Sequence, residues 1–255
     1  MEADLKEGKY MYCITESDEA KSFGPLGIGG RGDELYTICH GGIAALVSNA
    51  PIKKYRVSRE NSLAHEKAIE RVMVEHTVLP VRFATVAEDE DKVRRILRAE
   101  QERFKDLLNN VRNKTELSVK AMFKEEVIYR EILQKYEDIR LQREKIATLD
   151  SSKSHLQRVE IGRMVEDALQ REKQIVKDDI LNALSPLAEE VRVNDTYGEL
   201  MIINAAFFVE KSKEDDFDRQ VYELGDRYGE RTRFKYVGPL PPFNFVNIVI
   251  ETEKY

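Results

Sequence analysis

Between Leu63 and Val86 the spacing of apolar residues changes period. Ala64, Ala68, Ile69, Val72 and Met73 recur at helical intervals, with Glu66, Lys67, Glu70 and Arg71 on the opposite face. That spacing predicts a helix, and Ser58 or Asn61 offers a short side-chain oxygen to cap its first turn. Over residues 77–86 the side chains become β-branched and aromatic, which predicts a strand. Pro80 has no N–H to give to a ladder, so it belongs at an edge, at a strand start or at a bulge.

Upstream, residues 9–15 are apolar on both alternations and predict a central strand. Residues 35–40 and 43–48 flank Gly41-Gly42, a pair that takes positive φ freely, and predict a hairpin. Gly27, Gly29 and Gly32 satisfy G-x-G-x-x-G. A dinucleotide loop needs a helix directly after it, whereas strand-like residues 34–39 follow, so the stretch reads as a glycine loop before the hairpin. A helix is predicted over residues 88–110, with Val93, Ile96, Leu97, Phe104, Leu107 and Leu108 inward. Its acidic first turn, Glu88-Asp89-Glu90-Asp91, complements the helix dipole.

Residues 116–123 alternate as a strand. Residues 127–147 form a charged helix with Val127, Ile128, Ile132, Tyr136 and Ile139 on one stripe. A polar turn at residues 150–154 leads to a second long helix over 155–187, striped by Leu156, Val159, Val165, Leu169, Val176, Ile180 and Leu184 and ended by Pro186. The two predict an antiparallel helical hairpin. Strands at 191–194 and 199–210, a helix at 212–228, a strand at 231–237, a break at 238–242 and a final strand at 243–251 complete the chain. The predicted fold class is α+β, with two ferredoxin-like α/β domains. The first is a modified one over residues 1–112, and the second, over 113–255, carries the helical hairpin at about 124–187.

At 255 residues the chain is long enough for one large or two modest domains. A net charge of −6 argues against a dedicated nucleic-acid binder, which needs clustered Lys and Arg to neutralise phosphate. Arg233-Phe234-Lys235-Tyr236 alternates basic and aromatic residues but is too short to change that reading. No segment approaches the roughly 18 consecutive apolar residues of a membrane span, and the charged N-terminus lacks a signal-peptide core. A cytoplasmic protein with reduced, buried Cys13 and Cys39 is expected, with a disulfide between neighbouring strands as the lesser alternative. Cys39 and His40 point to opposite faces of a strand, and no second pair stands at zinc spacing, so no metal is expected.

His65 lies on the apolar side of its helix and reads as a hydrogen-bonded core residue rather than a base. Arg82 faces away from Val81 and Phe83, with two roles open: an acidic group of a partner, or an internal ion pair. Pro241-Pro242-Phe243-Asn244-Phe245 is a rigid turn bearing two aromatics, which either fixes the final strand or offers anchors to a partner. The candidate partner-binding residues are therefore Arg82, Phe83, Pro241, Pro242, Phe243 and Phe245. The chain offers no nucleophile–base arrangement, so no catalytic residue and no cofactor are expected.

Seven motifs, in the right order along the chain, carry a family resemblance. His65 followed by Thr77-Val78-Leu79-Pro80-Val81-Arg82-Phe83-Ala84-Thr85-Val86 resembles the central signature of the gas vesicle accessory proteins of the F/L type, with Ala84 where that family usually has glycine. Tyr10-Met11-Tyr12-Cys13-Ile14, Gly27-Ile28-Gly29-Gly30, Ile43-Ala44-Ala45-Leu46-Val47-Ser48, Glu116-Leu117-Ser118-Val119-Lys120 and Asn204-Ala205-Ala206-Phe207-Phe208-Val209 are similar to further family segments. The run from Gly238 to Val246 resembles its "GPwPPYsFv", with Leu240 for Trp and Phe243 for Tyr. The resemblance implies a two-domain α/β protein without catalysis or cofactor. It implies a role in gas vesicle assembly through the small hydrophobic shell protein and other accessory proteins. Two other readings stay beside it: a ferredoxin-like regulatory module binding a small ligand at a strand edge, and an enzyme whose pocket holds perturbed titratable groups.

Overall fold

The computed structural model describes residues 5–147 and 155–255. Contacts divide the chain into two units, Met1–Glu116 with Pro239–Tyr255, and Leu117–Gly238. The sequence boundary at residue 112 thus lies close to the first crossing, while the last segment groups with the first unit. The predicted polar turn at 150–154 lies outside the described residues.

In the first unit, β1 (Glu7–Glu16), β2 (Ser22–Gly24), β3 (Leu35–His40), β4 (Ile43–Pro51) and β5 (Val78–Pro80) hydrogen-bond in the order β2-β3-β4-β1-β5. The pairs are antiparallel, and β1 is interior because Tyr10 to Ile14 are all buried. Gly41 and Gly42, at φ 58° and 90°, turn β3 into β4 as expected. A strand, not a helix, follows the glycine loop. Helix α1 (Arg59–Met73) begins where the Ser58 side chain accepts the N–H of Asn61. It buries His65, Ala68, Ile69 and Val72 in a cluster with Tyr10, Tyr12, Leu46 and Val78.

The strand expected over 77–86 is interrupted. It pairs as β5 and again as the short β6 (Val86–Ala87), and between them the chain arches away. The helix expected over 88–110 is two helices, α2 (Glu90–Ala99) and α3 (Gln101–Val111). They meet at Glu100, whose φ −103° and ψ 8° are not helical and whose carboxylate accepts from Arg103 and the Tyr255 hydroxyl.

In the second unit, β7 (Lys114–Phe123), β8 (Glu190–Val193), β9 (Met201–Glu210) and β10 (Thr232–Leu240) make a sheet ordered β10-β7-β9-β8. The helix expected over 127–147 is likewise two, α4 (Glu125–Lys135) and α5 (Glu137–Ala147), because Tyr136 adopts extended backbone angles. Helix α6 (His155–Leu184) and α7 (Glu214–Tyr228) follow the predicted spans closely. Their apolar stripes, among them Leu169, Val176, Ile180, Phe217 and Leu224, pack with Leu117, Val119 and Phe207 of the sheet.

Two endings differ from expectation. β10 continues through Gly238 and Pro239, which an edge strand tolerates because the missing N–H faces no neighbour. The predicted final strand over 243–251 is not formed. Pro241 and Pro242 have no N–H, the Pro242 carbonyl takes the N–H groups of Phe245 and Val246 in a turn, and only an isolated bridge joins Val81 to Ile248.

Candidate functional site

The arch between β5 and β6 is fastened from beneath by a buried polar stack. The N–H of Val81 bonds the Tyr12 carbonyl at 2.9 Å, and that of Met11 bonds the Thr85 carbonyl at 2.9 Å. Ala84 has φ 66°, in the left-handed region, and its N–H donates to the Tyr10 hydroxyl at 2.9 Å. The same hydroxyl lies 3.2 Å from His65 Nδ1, so the ring joins the stack under the arch. The imidazole stacks on Tyr12 at 5.6 Å and meets the edge of Phe83 at 5.6 Å.

Burial pulls His65 down to about 4, against the Val81 hydrogen bond. Burial likewise lifts Tyr12 to about 12, although Ser48 and the Ile28 N–H bond its hydroxyl, and it raises Tyr10 too. All three rings are neutral near pH 7. With Nδ1 on the Tyr10 hydroxyl and the ring held between Tyr12 and Phe83, this histidine is a structural support of the arch.

The last segment comes against the same arch. The N–H of Arg82 bonds the Ile248 carbonyl at 2.9 Å. The buried carboxylate of Glu116 accepts the backbone N–H of Asn244 at 2.7 Å and its side-chain amide at 2.6 Å. Burial raises Glu116 despite those two bonds. Phe83 and Phe243 pack on one core cluster. The residues expected from sequence are therefore gathered on one unit, in differing exposure. Pro241 and Pro242 are buried, Phe83, Phe243 and Phe245 are half-buried, and Arg82 is exposed. Among the described residues the Arg82 side chain makes no ion pair.

Sequence reasoning missed a second cluster, in the Leu117–Gly238 unit. The Glu172 side chain is only 4% exposed and accepts from Lys135 at 2.6 Å, Tyr136 at 2.9 Å and Arg231 at 2.9 Å. Burial alone would raise its pKa, but the bonds from Lys135, Arg231 and Tyr136 outweigh it and hold Glu172 below the usual carboxylate range. The signal was present: Glu172 stands between Leu169 and Val176 on the apolar stripe of α6, where a charge requires a partner.

The family model for "Gas vesicle synthesis protein GvpL/GvpF" matches residues 8–247. The chain belongs to this family. Gas vesicle protein F of Nostoc sp. strain PCC 7120 is 27% identical over 96% of this chain and 100% of that protein. Gas vesicle protein F1 of Halobacterium salinarum is 23% identical over 98% of each. The crystal structure of GvpF from Anabaena sp. PCC7120 superposes with a TM-score of 0.79 at 27% identity, covering 95% of this chain and 99% of that one. The GvpF structure from Microcystis aeruginosa, at a TM-score of 0.70 and 24% identity, shares the fold over 93% of this chain and 98% of that one. The mixed helix and antiparallel-sheet architecture is thus that of GvpF structures. The family is one of gas vesicle proteins and not a known enzyme family. No helix among the described residues is long and apolar enough to cross a membrane.

Proposed function

We propose that this member of the GvpL/GvpF family is a non-enzymatic accessory protein. It binds the small hydrophobic shell protein, together with other accessory proteins, while gas vesicles are built in the cytoplasm. The arch is the docking element. The observation that carries this reading is Arg82, an exposed cation with no ion pair among the described residues, standing on a segment clamped by Tyr10, Tyr12 and His65. Half-buried Phe83, Phe243 and Phe245 lie on the same unit and add partly apolar surface. A rigid cation beside aromatic anchors suits an apolar subunit that also presents a carboxylate, and covering such a subunit keeps it from aggregating before it polymerises.

The sheet orders β2-β3-β4-β1-β5 and β10-β7-β9-β8 fit ferredoxin-like readings of both units, with α4 to α6 as the helical insertion of the second. The decisive experiment is co-expression with the shell protein, followed by purification through this chain. Retention of the shell protein that falls at least roughly tenfold in Arg82→Glu, with the melting temperature unchanged, is the expected result. Retention that ignores Arg82→Glu overturns the arch as docking element. A folded chain that retains no shell protein overturns the binding role.

A further inference from the structure

We propose that the crook between α4 and α5 is a preformed groove for an acidic amphipathic helix of a partner protein. Its volume is about 620 Å³. The floor is apolar: Tyr129 and Leu133 stand one turn apart on α4 and are half-buried. The rim is basic, with Arg130 on α4 and Arg140 and Arg143 on α5. Glu144 is the only carboxylate in the lining, and Arg140 pairs with it at 3.3 Å. Arg130 and Arg143 are exposed and make no ion pair among the described residues. On a chain of net charge −6, this is a positively charged strip beside an apolar trough.

The groove is rigid because its corner is pinned. Tyr136 leaves the helix at φ −103° and ψ 94°, and its hydroxyl and the Lys135 ammonium both reach the buried carboxylate of Glu172. A partner therefore meets two helices already held at their angle, and little order is lost on binding. A helix that lays apolar side chains spaced i, i+3 or i+4, i+7 along Tyr129 and Leu133 brings flanking carboxylates to the free guanidinium groups of Arg130 and Arg143.

Among the described residues, no helix of a second copy presents an exposed apolar stripe flanked by carboxylates alone. The apolar stripes of the acidic-starting α2 and α7 are buried within their own units. The exposed apolar residues of α6, among them Leu156, Val159 and Ile175, stand among charges of both signs, with Arg158, Lys173 and Lys177 beside them and Glu160 already paired to Arg163 at 2.8 Å. The proposal stands apart from the shell-protein reading, since it concerns the Leu117–Gly238 unit alone and its test needs no vesicle component.

The test titrates the full chain into two fluorescent synthetic helices of equal length and equal leucine spacing. One carries glutamate on its flanks and the other lysine. The expected result is saturable binding of the glutamate helix, weakened in high salt, with no binding of the lysine helix. Arg130→Glu with Arg143→Glu should weaken binding by at least roughly tenfold while the melting temperature is kept, because both residues are exposed. Equal binding of both helices, absence of binding, or unchanged binding to the double variant overturns the proposal. So does sedimentation showing a wild-type dimer that the double variant abolishes, which would give the groove to a second copy.

Discussion

Ala84 shows how much a single backbone angle governs. At φ 66° it carries a Cβ through a region that L-residues enter at a cost of roughly 1–2 kcal/mol. In sequence, alanine for the family's usual glycine looks like an exchange of small residues; in the structure it is an exchange of conformational freedom. Ala84→Gly relieves the strain, while glycine's looser unfolded chain takes part of the gain back. The variant should be more stable by roughly 0.5–1 kcal/mol in urea unfolding, with the arch hydrogen bonds retained. His65 was legible as a buried, bonded histidine from its place on an apolar helix face, but its partners were not, because Tyr10 and the Val81 backbone reach it only through sheet pairing. Its folded value near 4 lies below the ordinary 6.5, so the unfolded chain takes up the proton first as the pH falls. Stability from this group is intact above 6.5 and lost progressively down to about 4, by about 3 kcal/mol in all. Stability profiles of the wild type and His65→Gln should therefore converge as the pH drops through that window. Glu116, raised in the folded state, contributes in the opposite sense and cancels in the comparison.

At the scale of elements, amphipathic stripes located most helices and alternation located most strands, while the breaks were hidden. The stripe of residues 127–147 runs on past Tyr136, and only the distant Glu172 explains why the helix stops there. The arch between β5 and β6 was unreadable for a similar reason: its residues are as β-prone as their neighbours, and tertiary hydrogen bonds decide their path. The six chosen site residues fall on one unit, yet sequence could not tell that Pro241 and Pro242 are buried while Arg82 is exposed. Removing Glu172 leaves Arg231, largely buried, with Glu131 as its remaining carboxylate partner. Glu172→Ala should cost roughly 2–3 kcal/mol, less than a fully buried triad because Lys135 remains half in water. Amide hydrogen exchange around Lys135 and Tyr136 should quicken before the rest of α4 does. Because the Glu172 pKa is depressed, this contribution is present above the ordinary 4.5 and is lost as the pH falls through the folded value. The acid window of this corner therefore lies below that of the arch.

For the whole molecule, the connectivity matters more than either sheet. The Leu117–Gly238 unit is inserted into the other one, whose last contributors arrive only from Pro239 onward. Truncation after Gly238 removes the Asn244 donors from Glu116 and the Ile248 carbonyl from Arg82. The truncated chain should lose exchange protection across β1 and the arch while α6 and α7 keep theirs; equal loss in both units would contradict the division. A buried carboxylate stripped of both donors costs on the order of 1–3 kcal/mol, enough to be seen in the melting of the first unit.

The same insertion sets an order of birth. A ribosome finishes every strand and helix of the inner unit before it releases the segment that closes the outer one. The outer sheet, though translated first, waits with Glu116 unpaired and the Arg82 N–H without the Ile248 carbonyl until residues 239–248 have been made. Nascent chains stalled just short of Pro239 should display the inner unit folded and the outer one still open to protease. Any subunit that docks where the arch meets that segment is thereby received only after the inner unit has been made.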